Sequence, residues 1–129
     1  MKIFDQVPPW PNKVNFVDDD NTVVGYDMEQ SCCERAGWFI CYVPTTNTDT
    51  ETPPILLSGA LDAYKFNTHY FCEEPDPRTE VFIARFRLHA PDRPALYLHL
   101  FNCHNGWYGH GFEMRLKGLK GDIIREGIL

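Results

Sequence analysis

Between Glu80 and His89 the chain alternates. Phe82, Ala84, Phe86 and Leu88 fall on one side, Val81, Ile83, Arg85 and Arg87 on the other. A period of two over that length is the mark of a strand with a buried face. Shorter runs carry the same signal. Lys13–Val17 and Thr22–Tyr26 are β-branched and aromatic, and Asp18–Asn21 between them predicts a hairpin with a four-residue turn. Trp38–Val43 predicts a buried strand, and Ala95–Cys103 and His110–Lys117 predict the last two strands. One segment departs from this pattern. Asp27 can cap a helix, Gln30 follows three residues later as in a capping box, and Gly37 can end it, so Asp27–Gly37 is the predicted helix.

The intervals are polar or proline-rich. Residues 1–12 hold Pro8, Pro9 and Pro11 around Trp10, which predicts an extended arm with Trp10 able to dock on the core. Residues 44–54 and 73–79 predict solvated loops, Asp92–Pro94 a turn, and the tail from Gly118 gives no clear signal. The expected fold class is α+β: a predominantly antiparallel sheet of about six strands with one short helix packed against it. At 129 residues the chain fits a single domain, 1–129, with one core.

Register turns the last two predicted strands into a functional argument. Leu96, Leu98 and Leu100 share a face with Asn102 and His104, while Tyr108, His110, Phe112, Met114 and Leu116 share one on the next strand. A two-residue turn at Asn105-Gly106 would set Leu98 opposite Glu113 and mix charge into the apolar face. A three-residue loop brings all the leucines onto the face of Phe112 and Met114, and burial selects that register. Asn102, His104, Tyr108 and His110 would then converge where the hydrophobic layer stops, as ligand sites often do.

Composition narrows the classes. The net charge is −6 and no basic patch stands out, which argues against nucleic acid as a partner. No segment has the ~20 apolar residues of a membrane span, and the first residues are not those of a secretory signal. The expectation is a cytoplasmic protein, and five cysteines, an odd number without framework spacing, fit free thiols.

Three chemistries compete for the residues singled out. His104 and His110 can supply two imidazoles to zinc, with Cys32, Cys33, Cys103, Glu34 or His69 as more distant ligands, although adjacent Cys32 and Cys33 on a helix point about 100° apart. A thiolate at Cys32 or Cys33 near a helix start can act as nucleophile, with His104 or His110 as base and Asn102 or Asn105 as orienter. Carboxylates Asp27, Glu29 and Glu34 are explained by capping and solvation, and Glu113 by an exposed strand face. His69, His89 and His99 have no special context and are expected to be partly exposed or hydrogen-bonded. Aromatics make up 14% of the chain, enough for a recognition surface or for an interface between two copies.

Two blocks, Val24-Gly25-Tyr26-Asp27 through Cys32-Cys33-Glu34 to Gly37-Trp38 and Asn102 through Phe112, resemble a family of small, uncharacterised bacterial and phage proteins. That family shows a Gly-Tyr-Asp…Cys-Cys-Glu…Gly-Trp block and a later His-Asn-Gly-aromatic…His-Gly-Phe block. The resemblance covers about a quarter of the chain. It implies a small soluble domain in which the two blocks meet.

The reading that results is a binding or protein-interaction module for an unknown protein or small molecule, free of any cofactor. Its functional surface is placed at Asn102, His104, Trp107, Tyr108 and His110, with Cys32, Cys33 and Glu34 contributing. The competing reading is a small metal- or thiol-dependent, hydrolase-like enzyme.

Overall fold

The computed structural model describes residues 1–29, 35–46, 61–76, 81–103 and 109–129. Among these, nine strands form two antiparallel sheets, and no helix occurs. The first sheet contains β1 (Lys2–Asp5), β2 (Lys13–Val17), β3 (Val23–Asp27), β8 (Gly111–Arg115) and β9 (Ile123–Ile128), in that order. The second runs β4 (Arg35–Cys41), β7 (Leu96–Cys103), β6 (Val81–His89) and β5 (Lys65–Asp76). The middle pairings are nested: β5 with β6, β4 with β7, β3 with β8. This is how a long antiparallel ribbon rolls into two layers, as in a jelly roll.

Alternation dictates the core. Val14, Phe16, Val24, Tyr26, Phe112 and Met114 point inward from the five-stranded sheet and meet Ile40, Ala84, Phe86, Leu88, Leu96, Leu98 and Leu100 from the other. The Phe86 ring lies against Phe66, Phe71 and Phe112, so it touches both layers. The Tyr26 hydroxyl donates to the Phe101 carbonyl across the sandwich at 2.7 Å.

The α+β expectation is therefore corrected to all-β. Asp27 does use its side chain as a cap, but Oδ1 accepts the Glu29 N–H at 2.9 Å in a turn that closes β3. The carboxylate chemistry that starts a helix serves an Asx turn equally well. Gly37 is no helix end. It lies within β4, and a Cβ there would sit 2.6 Å from the Phe101 ring, so a side chain is excluded by close packing.

The count of about six strands fell short at three places. The 1–12 segment carries β1, paired with β2, and its prolines occupy a connection held by the Gln6 N–H on the Lys13 carbonyl and the Lys13 N–H on the Trp10 carbonyl. β5 runs on to Asp76 through Pro75, which an edge strand tolerates, and its pairing shifts between Phe66 and Phe71, which hides the period. β9 exposes Ile123 and Ile128 and half-buries Ile124, so its alternation is faint.

The terminal hairpin is also corrected. β7 and β8 belong to different sheets. Leu96, Leu98 and Leu100 do share a core with Phe112 and Met114, but face to face across the sandwich. Burial fixes which side chains meet, and two facing layers satisfy it as well as one hairpin does. No helix among the described residues is long and apolar enough to cross a membrane.

Candidate binding groove

Of the residues singled out from the sequence, Asn102 and His110 are described; Cys32, Cys33, Glu34, His104, Trp107 and Tyr108 lie outside the described residues. Asn102 and His110 do come together, but as buried supports. Asn102 is fully buried and its Nδ2 donates to the Leu129 carbonyl at 3.1 Å. The His110 N–H donates to that same carbonyl at 2.8 Å, and the Leu129 N–H returns a bond to the His110 carbonyl. The His110 Nδ1–H donates to the Asp27 carbonyl at 2.9 Å beside the Tyr26 ring. With Tyr26 paired to Phe112 in the β3–β8 ladder, the described parts of the two sequence blocks are in contact.

The outer face of the four-stranded sheet holds a Cys/His pair that sequence reasoning did not single out. Cys41 Sγ lies 3.9 Å from His99 Nδ1. A nucleophilic dyad needs a thiol easily ionised and an imidazole able to take its proton. Here both tendencies run the other way. Burial raises the Cys41 thiol, and burial followed by the Arg85 guanidinium pushes His99 down to about 4. The ring nitrogens are also committed: Nδ1–H donates to the Tyr97 carbonyl and Nε2 accepts the Thr45 N–H, while the Cys41 thiol donates to the Val43 carbonyl. The ring stacks on Phe39 at 4.3 Å. His99 is thus hydrogen-bonded, as expected, but fully buried. Arg85 is nearly buried as well, bonded to the Thr45 carbonyl and paired with Glu74 at 3.2 Å. Among the described residues no three His, Cys, Asp or Glu side chains group to hold a metal ion.

The outer face of the five-stranded sheet is different. A groove of about 730 Å³ runs across β2, β3, β8 and β9. Register explains its floor. Asn15, Gly25, Glu113 and Glu126 form one row from β2 to β9, and Lys13 and Asp27 begin the next. Gly111 also lies on the floor, with no side chain within van der Waals distance of the place a Cβ would take. Trp10–Asn12 from the β1–β2 connection make one wall, with Trp10 38% exposed, and Glu29 adds a fourth carboxylate.

Charge within the groove is unevenly balanced. Glu113 accepts from Arg115 Nη2 at 3.1 Å and from Lys13 Nζ at 3.2 Å. The Arg115 bond first, then Lys13, holds its carboxyl below the usual glutamate range. Asp27, Glu29 and Glu126 have no ion-pair partner among the described residues. The amide of Asn15 is only 2% exposed, and neither of its polar atoms has a hydrogen-bond partner among the described residues. Buried amides are nearly always satisfied, so this one is out of the ordinary.

Sequence reasoning treated Asp27, Glu29 and Glu113 as capping or solvated groups and placed Trp10 as a dock. Their convergence depends on β3 pairing with β8, which no local pattern announces. The available signal was Gly25 and Gly111 inside strand-like runs, each two residues before a carboxylate (Asp27 and Glu113), where a missing side chain often marks close approach of something else. Comparison of the chain with family models, with curated proteins and with solved structures gives no match.

Proposed function

We propose that the chain is a binding module whose ligand seats in the groove on the outer face of the five-stranded sheet, and that it works in the cytoplasm. The observation that carries this is the groove itself: a glycine-lined floor, an exposed indole wall and three carboxylates without an ion pair among the described residues, beside a buried amide lacking partners. Concave sites with a few convergent polar groups are where ligands bind. Cys41 and Cys72 are free thiols, which supports a reducing compartment. Catalysis finds less support, because Asn102 Nδ2, His110 Nδ1, both His99 ring nitrogens and the Cys41 thiol are bonded to backbone groups of the fold.

The test is amide chemical-shift mapping with a panel of small cationic, anionic and neutral fragments. Shifts clustering at Gly25, Gly111, Glu113 and Glu126 are expected. Clustering instead around 102–110, with the groove silent, would overturn the reading and return the function to the region first singled out from the sequence.

A further inference from the structure

Resting on the groove as the binding site, we infer that its ligand is an extended basic peptide segment, bound through lysine or arginine side chains. The charge argument comes first. Asp27, Glu29 and Glu126 bring three negative charges to the groove with no cation paired to them among the described residues, and an anionic ligand would meet repulsion from each. Asp27 ends β3, Glu29 follows it and Glu126 lies on β9, so a ligand whose cationic groups are spread along an extended chain matches their placement. The exposed Trp10 indole at the groove wall suits such a cation, since ammonium and guanidinium groups are attracted to aromatic faces.

Lys13 shows what the floor accepts. Its ammonium already sits on Glu113 at 3.2 Å, a resident side chain in the position of a ligand cation. The end of that chain crowds the empty space above Gly25: Lys13 Cε and Asn15 Oδ1 lie 2.8 and 2.9 Å from where a Cβ would be. A ligand cation that takes Glu113 releases Lys13, and the released chain uncovers Asn15. The amide then has both of its unsatisfied functions to offer, an acceptor oxygen and a donor nitrogen. A peptide group supplies the matching N–H and carbonyl; a polyamine has no acceptor carbonyl to give. From β2 to β9 the floor spans three strand spacings, about 14 Å, which is room for two side chains on one face of an extended peptide.

The experiment uses the full chain and a dye-labelled nine-residue peptide alternating arginine and serine, followed by fluorescence anisotropy at low and high salt. The glutamate–serine counterpart, spermine and a set of neutral oligosaccharides serve as competitors. Expected are binding of the basic peptide, weakening with salt, a loss of about fivefold for each of Asp27→Asn and Glu126→Gln, and a gain of about fivefold for Lys13→Met, which removes the competing cation. Asn15→Leu should weaken binding while a thermal melt shows the fold intact. Tighter binding of spermine or an oligosaccharide than of the peptide would overturn the inference, as would a Lys13→Met variant that binds more weakly. Fragments that shift groove amides while the basic peptide does not bind would sink this inference and spare the binding-module reading. A silent groove would sink both.

Discussion

The two sheets of this molecule turn opposite kinds of surface outward. Outside the four-stranded sheet, Phe39, Cys41, Ile83 and Phe101 form a second apolar cluster, and His99 and Arg85 are buried beside it. Outside the five-stranded sheet, the equivalent positions are Lys13, Asp27, Glu113 and Glu126, with Gly25 and Gly111 leaving the backbone bare. The same alternation generates both. What differs is whether the outward residues can be satisfied by their own chain. Both ring nitrogens of His99, the Cys41 thiol and the Arg85 Nη2 have partners within the chain, which makes that face structural despite its reactive residue types. The groove keeps unbalanced charge and an unsatisfied amide, so it is the face with capacity left for a ligand.

The comparison breaks most severely if the two faces do not share a core. Phe86→Ala removes the ring that touches both layers and should cost about 3–5 kcal/mol. Urea unfolding followed by circular dichroism and by tryptophan fluorescence should move together. Separate transitions would mean that groove and closed face are independent units.

The closed face has a pH signature of its own. His99 holds its proton less tightly in the native state, near 4, than in the unfolded chain, near 6.5. Its contribution is complete above the unfolded value and declines as pH falls from about 6.5 towards 4, by on the order of 3 kcal/mol. His99→Gln should flatten the slope of stability between pH 7 and 5, a window above the carboxylate titrations. An unchanged slope would mean that the imidazole is not held neutral.

On the groove side the stability effects are smaller. Glu113 is about one-quarter exposed, so Glu113→Gln should lower stability by less than about 1 kcal/mol. Because Arg115 and then Lys13 depress its carboxyl, its contribution is present at neutral pH and fades as pH drops through the glutamate range. The substitution should therefore matter at pH 7 and vanish near pH 3. A loss of several kcal/mol at neutral pH would recast Glu113 as a structural residue and align the two faces. The smallest effect is kinetic: Cys41, 2% exposed with a raised thiol, should resist iodoacetamide in the native protein and react once the chain is unfolded in urea, as peptide mapping would show.

Legibility in the sequence followed the strength of local periodicity. β6 was readable almost residue by residue, with Ala84, Phe86 and Leu88 inward and Val81, Ile83 and Arg85 outward, and the β2–β3 hairpin was equally plain. Strands whose period is interrupted by prolines, a register shift or exposed isoleucines escaped notice. Asp27 misled because a carboxylate at the end of an apolar run caps a turn and a helix by the same bond. The groove was hidden for a different reason. Its residues come from β2, β3, β8 and β9, and a non-local pairing has no signature in either partner alone.

The nested pairing also says something about assembly. β5 and β6 are near neighbours in the chain and can join first, β4 and β7 enclose them, and β3 meets β8 only after the largest loop has closed. Contacts so distant in sequence make folding slow. The groove floor lies on that outermost seam, so the recognition proposed for it waits for the last stage of folding, and a nascent or partly opened chain would carry every groove residue without the groove.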